Sequence, residues 1–139
     1  MAYAGYLLKI GTYQIPHSII KADEYSPYVN MQDLDDYTDA NGYLHREPVD
    51  LKVAKVEFET LPMLDNIQFS EFMQRIREQY TMAKGRQFVF TCYIPEYDDY
   101  VTQTGYLADF QPKINFADNT KIVYDSFRMA IIGGVYNGG

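Results

Sequence analysis

The chain has 139 residues, enough for one domain spanning residues 1–139 with a full hydrophobic core. Its formal net charge is −7, so the clustered Lys and Arg of a nucleic-acid-binding surface are missing and adhesion to DNA or anionic membranes is not expected. No apolar run approaches the ~20 residues a bilayer span needs, Met1–Lys9 lacks the basic start of a secretory signal, and Cys92, the only cysteine, rules out an internal disulfide and fits a reducing cytosol.

Tyr6–Ile10 reads as a first strand, Gly11-Thr12 as a turn, Tyr13–Ile15 as a return strand and Pro16 as a stop, with Ile19-Ile20 extending the edge. From Asp23 to Pro48 the periodicity disappears: Asp33, Asp35, Asp36 and Asp39 form an acidic loop, and Asn41-Gly42 is a strong turn signal. This stretch is expected to be a long loop or extended hairpin arm, and loops of that length in compact domains are usually functional. A calcium site there fails on spacing. With Gly42 at the sixth position of a calcium loop, Tyr37 would stand first and Pro48 last, where carboxylates are required.

Val49–Leu61 resumes as a strand whose phase slips near Val53, as a β-bulge requires. Over Asp65–Gly85, Phe69, Phe72, Met73, Ile76, Tyr80 and Ala83 recur at helical spacing, with Ser70, Glu71, Gln74, Arg75, Glu78 and Gln79 on the opposite face. Asp65 or Asn66 caps this helix, and Gly85 suits a left-handed C-cap. Phe88–Ile94 is apolar on both faces and holds Cys92, expected to be a buried, inert thiol. Pro95–Asp99 reads as a polar turn, Tyr100–Phe110 as a strand, Phe116–Thr120 as a turn and Lys121–Ile132 as one long last strand. The expected fold class is mainly β with one helix (α+β): an antiparallel β-sandwich or partly closed barrel, flanked by the helix and carrying an irregular arm over about residues 23–48.

Strands apolar on both faces need cover on both, and one helix covers one. The other face calls for a second sheet or a neighbouring subunit. Fourteen tyrosines crowd partly into loops, where strand propensity does not explain them, and tyrosine suits protein contacts. Tyr25, Tyr28, Tyr37 and Tyr43 are therefore candidate contact residues. Chemistry has little to work with. His17 and His45 stand without a zinc motif, and nucleophile elbow, phosphate loop and dinucleotide fingerprint are absent. Glu57, Glu59, Asp98 and Asp99 read as surface charges, so neither an enzyme nor a cofactor or metal site is expected.

The order of elements itself resembles a known family. Tyr6-Leu-Leu-Lys-Ile-Gly-Thr-Tyr-Gln-Ile-Pro16, an irregular arm ending at Gly42-Tyr-Leu-His-Arg46, then strand, helix, Phe88-Val-Phe-Thr-Cys-Tyr93 and Tyr100-Val-Thr-Gln-Thr-Gly-Tyr-Leu-Ala-Asp109 look like small phage and prophage tail proteins related to the tail-tube and distal-tail fold. The resemblance implies a structural subunit of the virion, assembled in the bacterial host cytoplasm. It also implies rings, commonly of six copies, that meet neighbouring tail proteins and enclose a lumen through which DNA passes. The acidic balance suits such a lumen, and the arm would reach a neighbouring subunit, which makes Tyr25, Tyr28, Tyr37, Tyr43, Leu44 and Arg46 the oligomer-interface residues that the resemblance implies. The alternative is a monomeric module whose tyrosine-rich loops bind a protein or carbohydrate.

Overall fold

A computed structural model describes residues 3–30, 33–38, 44–48 and 52–133. Its strands are β1 (Leu8–Ile10), β2 (Tyr13–Gln14), β3 (Ile20–Asn30), β4 (Asp33–Thr38), β5 (Leu44–Pro48), β6 (Lys52–Thr60), β7 (Leu64–Asp65), β8 (Gln87–Ile94), β9 (Asp99–Leu107), β10 (Ile114–Ala117), β11 (Ile122–Tyr124) and β12 (Arg128–Ile132), and its helix is α1 (Asn66–Arg77). Seven strands form one antiparallel sheet in the order β2-β1-β8-β9-β12-β6-β3. A second sheet runs β10-β11-β7, and β4-β5 is a two-stranded sheet of its own.

The mainly-β fold with a single α-helix among the described residues matches the expected class, and the large sheet does not close into a barrel. Alternation puts Val56 and Phe58 of β6, Phe88, Phe90, Cys92 and Ile94 of β8, and Met129 and Ile131 of β12 inside one core. Helix α1 and the small sheet close over it: Phe72 and Ile76 are buried, Phe69 packs against Tyr124 and Phe127, and Leu64 of β7 joins the cluster.

The helix begins where its sequence says it should. Asp65 accepts the Gln68 amide at 2.8 Å and Gln68 Oε1 accepts the Asp65 amide at 3.1 Å, a reciprocal capping box. Asp65→Ala is expected to lower unfolding free energy by about 1 kcal/mol in urea titrations; an unchanged midpoint would remove the cap from the account. The helix stops at Arg77, short of the expected Gly85, and Arg86 rather than Gly85 takes the left-handed conformation, with φ 51°. Tyr80 keeps the helical phase because it still stacks on Phe88, with ring centroids 6.1 Å apart.

Three further expectations are corrected. Residues 23–30, the start of the expected loop or hairpin arm, continue the edge strand on β6, with one irregularity between Lys21 and Ser26 and another at Tyr28/Val29, opposite the predicted bulge near Val53. Phe116 and Ala117 belong to β10 rather than to a turn, and the turn follows at 118–120. The last long strand is two, because the chain leaves the small sheet after Tyr124 and joins the large one at Arg128. Thr60 holds that switch: its hydroxyl accepts the Phe127 amide at 3.2 Å, and its own amide bonds the Phe127 carbonyl at 3.0 Å.

Candidate functional site

The surface that could meet other molecules is built from the outer faces and edges of these sheets. The outer face of β8–β9 is partly closed from within. Tyr93 and Tyr100 stand opposite each other across the strands, and the N-terminal segment crosses them, with Tyr3 edge-on to Tyr93 at 5.4 Å and Tyr6 stacked on Tyr100 at 4.7 Å. The Tyr100 hydroxyl accepts the Ala4 amide at 2.7 Å and donates to the Tyr6 carbonyl at 2.8 Å. Asp98, left-handed at φ 48°, accepts from the Tyr93 hydroxyl at 2.7 Å and the Tyr3 amide at 3.2 Å. His17 Nε2 lies 2.9 Å from the Gly5 carbonyl. The Tyr3 hydroxyl lies 3.2 Å from the same nitrogen. Sequence reading missed this strap, since its bonds join residues more than 90 positions apart.

The candidate interface residues fall into three groups. Tyr25 points into its own chain. Its hydroxyl bonds the Tyr93 carbonyl at 2.8 Å and the Leu7 carbonyl at 3.1 Å, tying edge strand β3 back to β8 and the start of β1, and burial pushes its phenol well above the ordinary range. Tyr25→Phe strips a donor from two carbonyls and is expected to cost about 1–3 kcal/mol, read from chemical denaturation; a neutral result would mean the tie carries no stability. Tyr28 is 46% exposed, with the Lys55 ammonium 5.1 Å from its ring centroid. Tyr37, Leu44 and Arg46 lie on the β4–β5 hairpin, where Tyr37 pairs with His45 and Thr38 with Leu44. Of the acidic group, Asp33, Asp35 and Asp36 are in β4; Tyr43 and Asp39 lie outside the described residues.

Beside Tyr28 the outer face of β6 and β12 is charged. Arg128 bonds Glu57 at 2.7 Å and Glu59 at 3.2 Å, and Lys55 bonds Glu57 at 2.6 Å. The Lys55 hydrogen bond holds the Glu57 carboxyl below its ordinary value, with Arg128 adding to it. A lowered carboxylate stabilises the fold fully above its ordinary pKa, and that contribution is lost as pH falls through the lowered value. Thermal melts on acidification should therefore fall less steeply for Glu57→Gln than for the wild-type chain, and parallel curves would contradict this.

Two of the acidic side chains weighed for hydrolysis, Glu57 and Glu59, are thus engaged by basic partners, and Asp98 by tyrosine and amide donors. Among the described residues no group of three His, Cys, Asp or Glu could hold a metal ion, and no helix is long and apolar enough to cross a membrane. The depressions on the surface are open and shallow, one of about 630 Å³ lying where Arg86 pairs with Asp109. Burial pushes the Cys92 thiol up to about 12, as an inert core cysteine requires.

This fold is one found in tails. The chain superposes over 97% of its length on 96% of a chain from the tail of an empty GTA particle with C6 symmetry, at TM-score 0.52 and 15% identity. Two other solved structures match at TM-score 0.43: the sheath–tube complex of an extracellular contractile injection system, PVC, in its extended state (9% identity, 97% of this chain and 88% of that one), and the virion of a native gene transfer agent (GTA) particle (14% identity, 94% and 96%). The likeness to the GTA tail chain is one of fold. By sequence, the chain belongs to DUF6711, a family of unknown function whose model matches residues 1–136. No curated protein matches it.

Proposed function

We propose that this chain is a single tail-tube-like domain that serves as a structural subunit of a phage-type tail, whether in tube, tip or distal-tail ring. Copies assemble into rings, six to a ring as in the C6 tail whose fold it shares, around a lumen that conducts DNA. The observation that carries this reading is the near end-to-end match of folds, 97% of one chain against 96% of the other. A net charge of −7 supports passage of DNA without adhesion. The role is non-catalytic, exercised in the virion after assembly in the host cytoplasm, alongside neighbouring tail proteins.

In this reading Tyr28 and the hairpin residues Tyr37, Tyr43, Leu44 and Arg46 meet a neighbouring copy, the acidic residues Asp33, Asp35, Asp36 and Asp39 keep the arm solvated, and Tyr25 fixes the base of the arm. Sedimentation and negative-stain imaging of the purified protein test it. Rings or short tubes are the expected result. A lone monomer at every concentration and salt, including when co-expressed with adjacent tail proteins, would overturn it.

A further inference from the structure

The described sheets have few ends at which another strand could be added. At one end of the large sheet β2 is two residues long, too short to template pairing, and at the other β3 is guarded by Pro27, by an irregularity over residues 22–25 and by Lys21, Asp23 and Glu24. In the small sheet β7 is also two residues and runs straight into α1. Strand β10 differs. It reads Ile114-Asn115-Phe116-Ala117, without charge or proline, and all four residues are exposed, Ile114 at 56% and Phe116 at 47%. An exposed, neutral, apolar edge is the kind that natural sheets otherwise guard. Elsewhere in the same chain stands the complementary need. Hairpin β4–β5 is a separate sheet of two strands, and a two-stranded hairpin alone is marginal in water.

We infer that β10 is the acceptor edge for the β4–β5 hairpin of a second copy, so that the three-stranded sheet of one subunit continues into the hairpin of the next. The inference rests on the self-assembly proposed above and names the surface that receives the arm. Length suits it, since hairpin strands of six and five residues face an acceptor of four. Charge does not oppose it. The sequence of β4 is acidic, whereas β10 is neutral and bordered by Lys113 and Lys121; of the nearby carboxylates, Asp118 accepts from the Thr120 and Lys121 amides and Asp125 from the Asn115 side-chain amide at 3.2 Å. A donor hairpin and an acceptor edge at different places on one chain allow a head-to-tail contact, the kind that builds a ring where its rotation closes.

The test mixes two differently tagged full-length preparations, one carrying Asn115→Cys and the other a cysteine at either of the adjacent hairpin positions, His45→Cys or Arg46→Cys. Cys92 stays silent because it is buried. Under mild oxidation the mixture should give a mixed disulfide dimer that neither preparation gives alone. Phe116→Lys, which charges the edge at a half-exposed position, should weaken self-association at least about tenfold with the thermal midpoint little changed. Rings on the grid without the mixed disulfide would overturn this acceptor and leave the ring reading standing. Self-linking of Asn115→Cys would overturn it in favour of two-fold β10 pairing. Failure of the wild-type chain to associate at all would overturn both.

Discussion

Phe90→Ala is expected to destabilise the protein by about 3–5 kcal/mol, measured by urea denaturation. The ring is fully buried on β8 and lies beneath two glycines. A Cβ on Gly105 of β9 would sit 2.6 Å from Phe90 Cε1 and 2.6 Å from the Ile132 carbonyl oxygen, and one on Gly133, just past β12, would sit 2.2 Å from the Val53 carbonyl oxygen and 3.0 Å from Phe90 Cζ. These two positions need glycine for space, because the backbone passes directly over the aromatic ring. Gly105→Ala should therefore cost about 1–3 kcal/mol on its own as overpacking. The double variant should cost less than the two single costs added, since removing the ring relieves one of the two clashes. Strict additivity, or a neutral Gly105→Ala, would show that the ring and the glycine are not coupled.

Phe72→Ala ranks beside it, at about 3–5 kcal/mol by the same measurement. Phe72 is 2% exposed on the inner face of α1, with Tyr13 and Phe69 rings 6.3 and 6.5 Å from its own. Its loss opens a cavity between the helix and the sheet it covers. A loss under about 1 kcal/mol would mean that the helix is not needed to seal the core.

The helix was legible because its start is written locally, in Asp65 and Gln68, and its buried face recurs at a fixed spacing. Its end was not, since Tyr80 continues the spacing while packing on Phe88 as an ordinary coil residue. The alternating strands β6 and β8 were equally plain. What escaped was anything decided by a distant partner. Acidic residues lower the strand propensity of residues 23–30, yet pairing with β6 makes them a strand. Apolar residues on both sides hid the switch between sheets after Tyr124, although Asp125-Ser126 marks it in the sequence. At the candidate site, the tyrosine count pointed to contacts but could not sort them: Tyr25 turns inward to two carbonyls, and Tyr28 stays on the surface. The exposed strand β10 was not legible because Ile114 and Phe116 make too short a run to show a period.

The strand order places β12 between β9 and β6, although it comes after every other described strand along the chain. As the polypeptide leaves the ribosome, β6 and β9 therefore wait with raw edges until the residues up to Ile132 have emerged. The large sheet can form only after nearly the whole described chain has been translated, so nonsense or frameshift products ending before Arg128 should be left as two unjoined halves, fit for degradation.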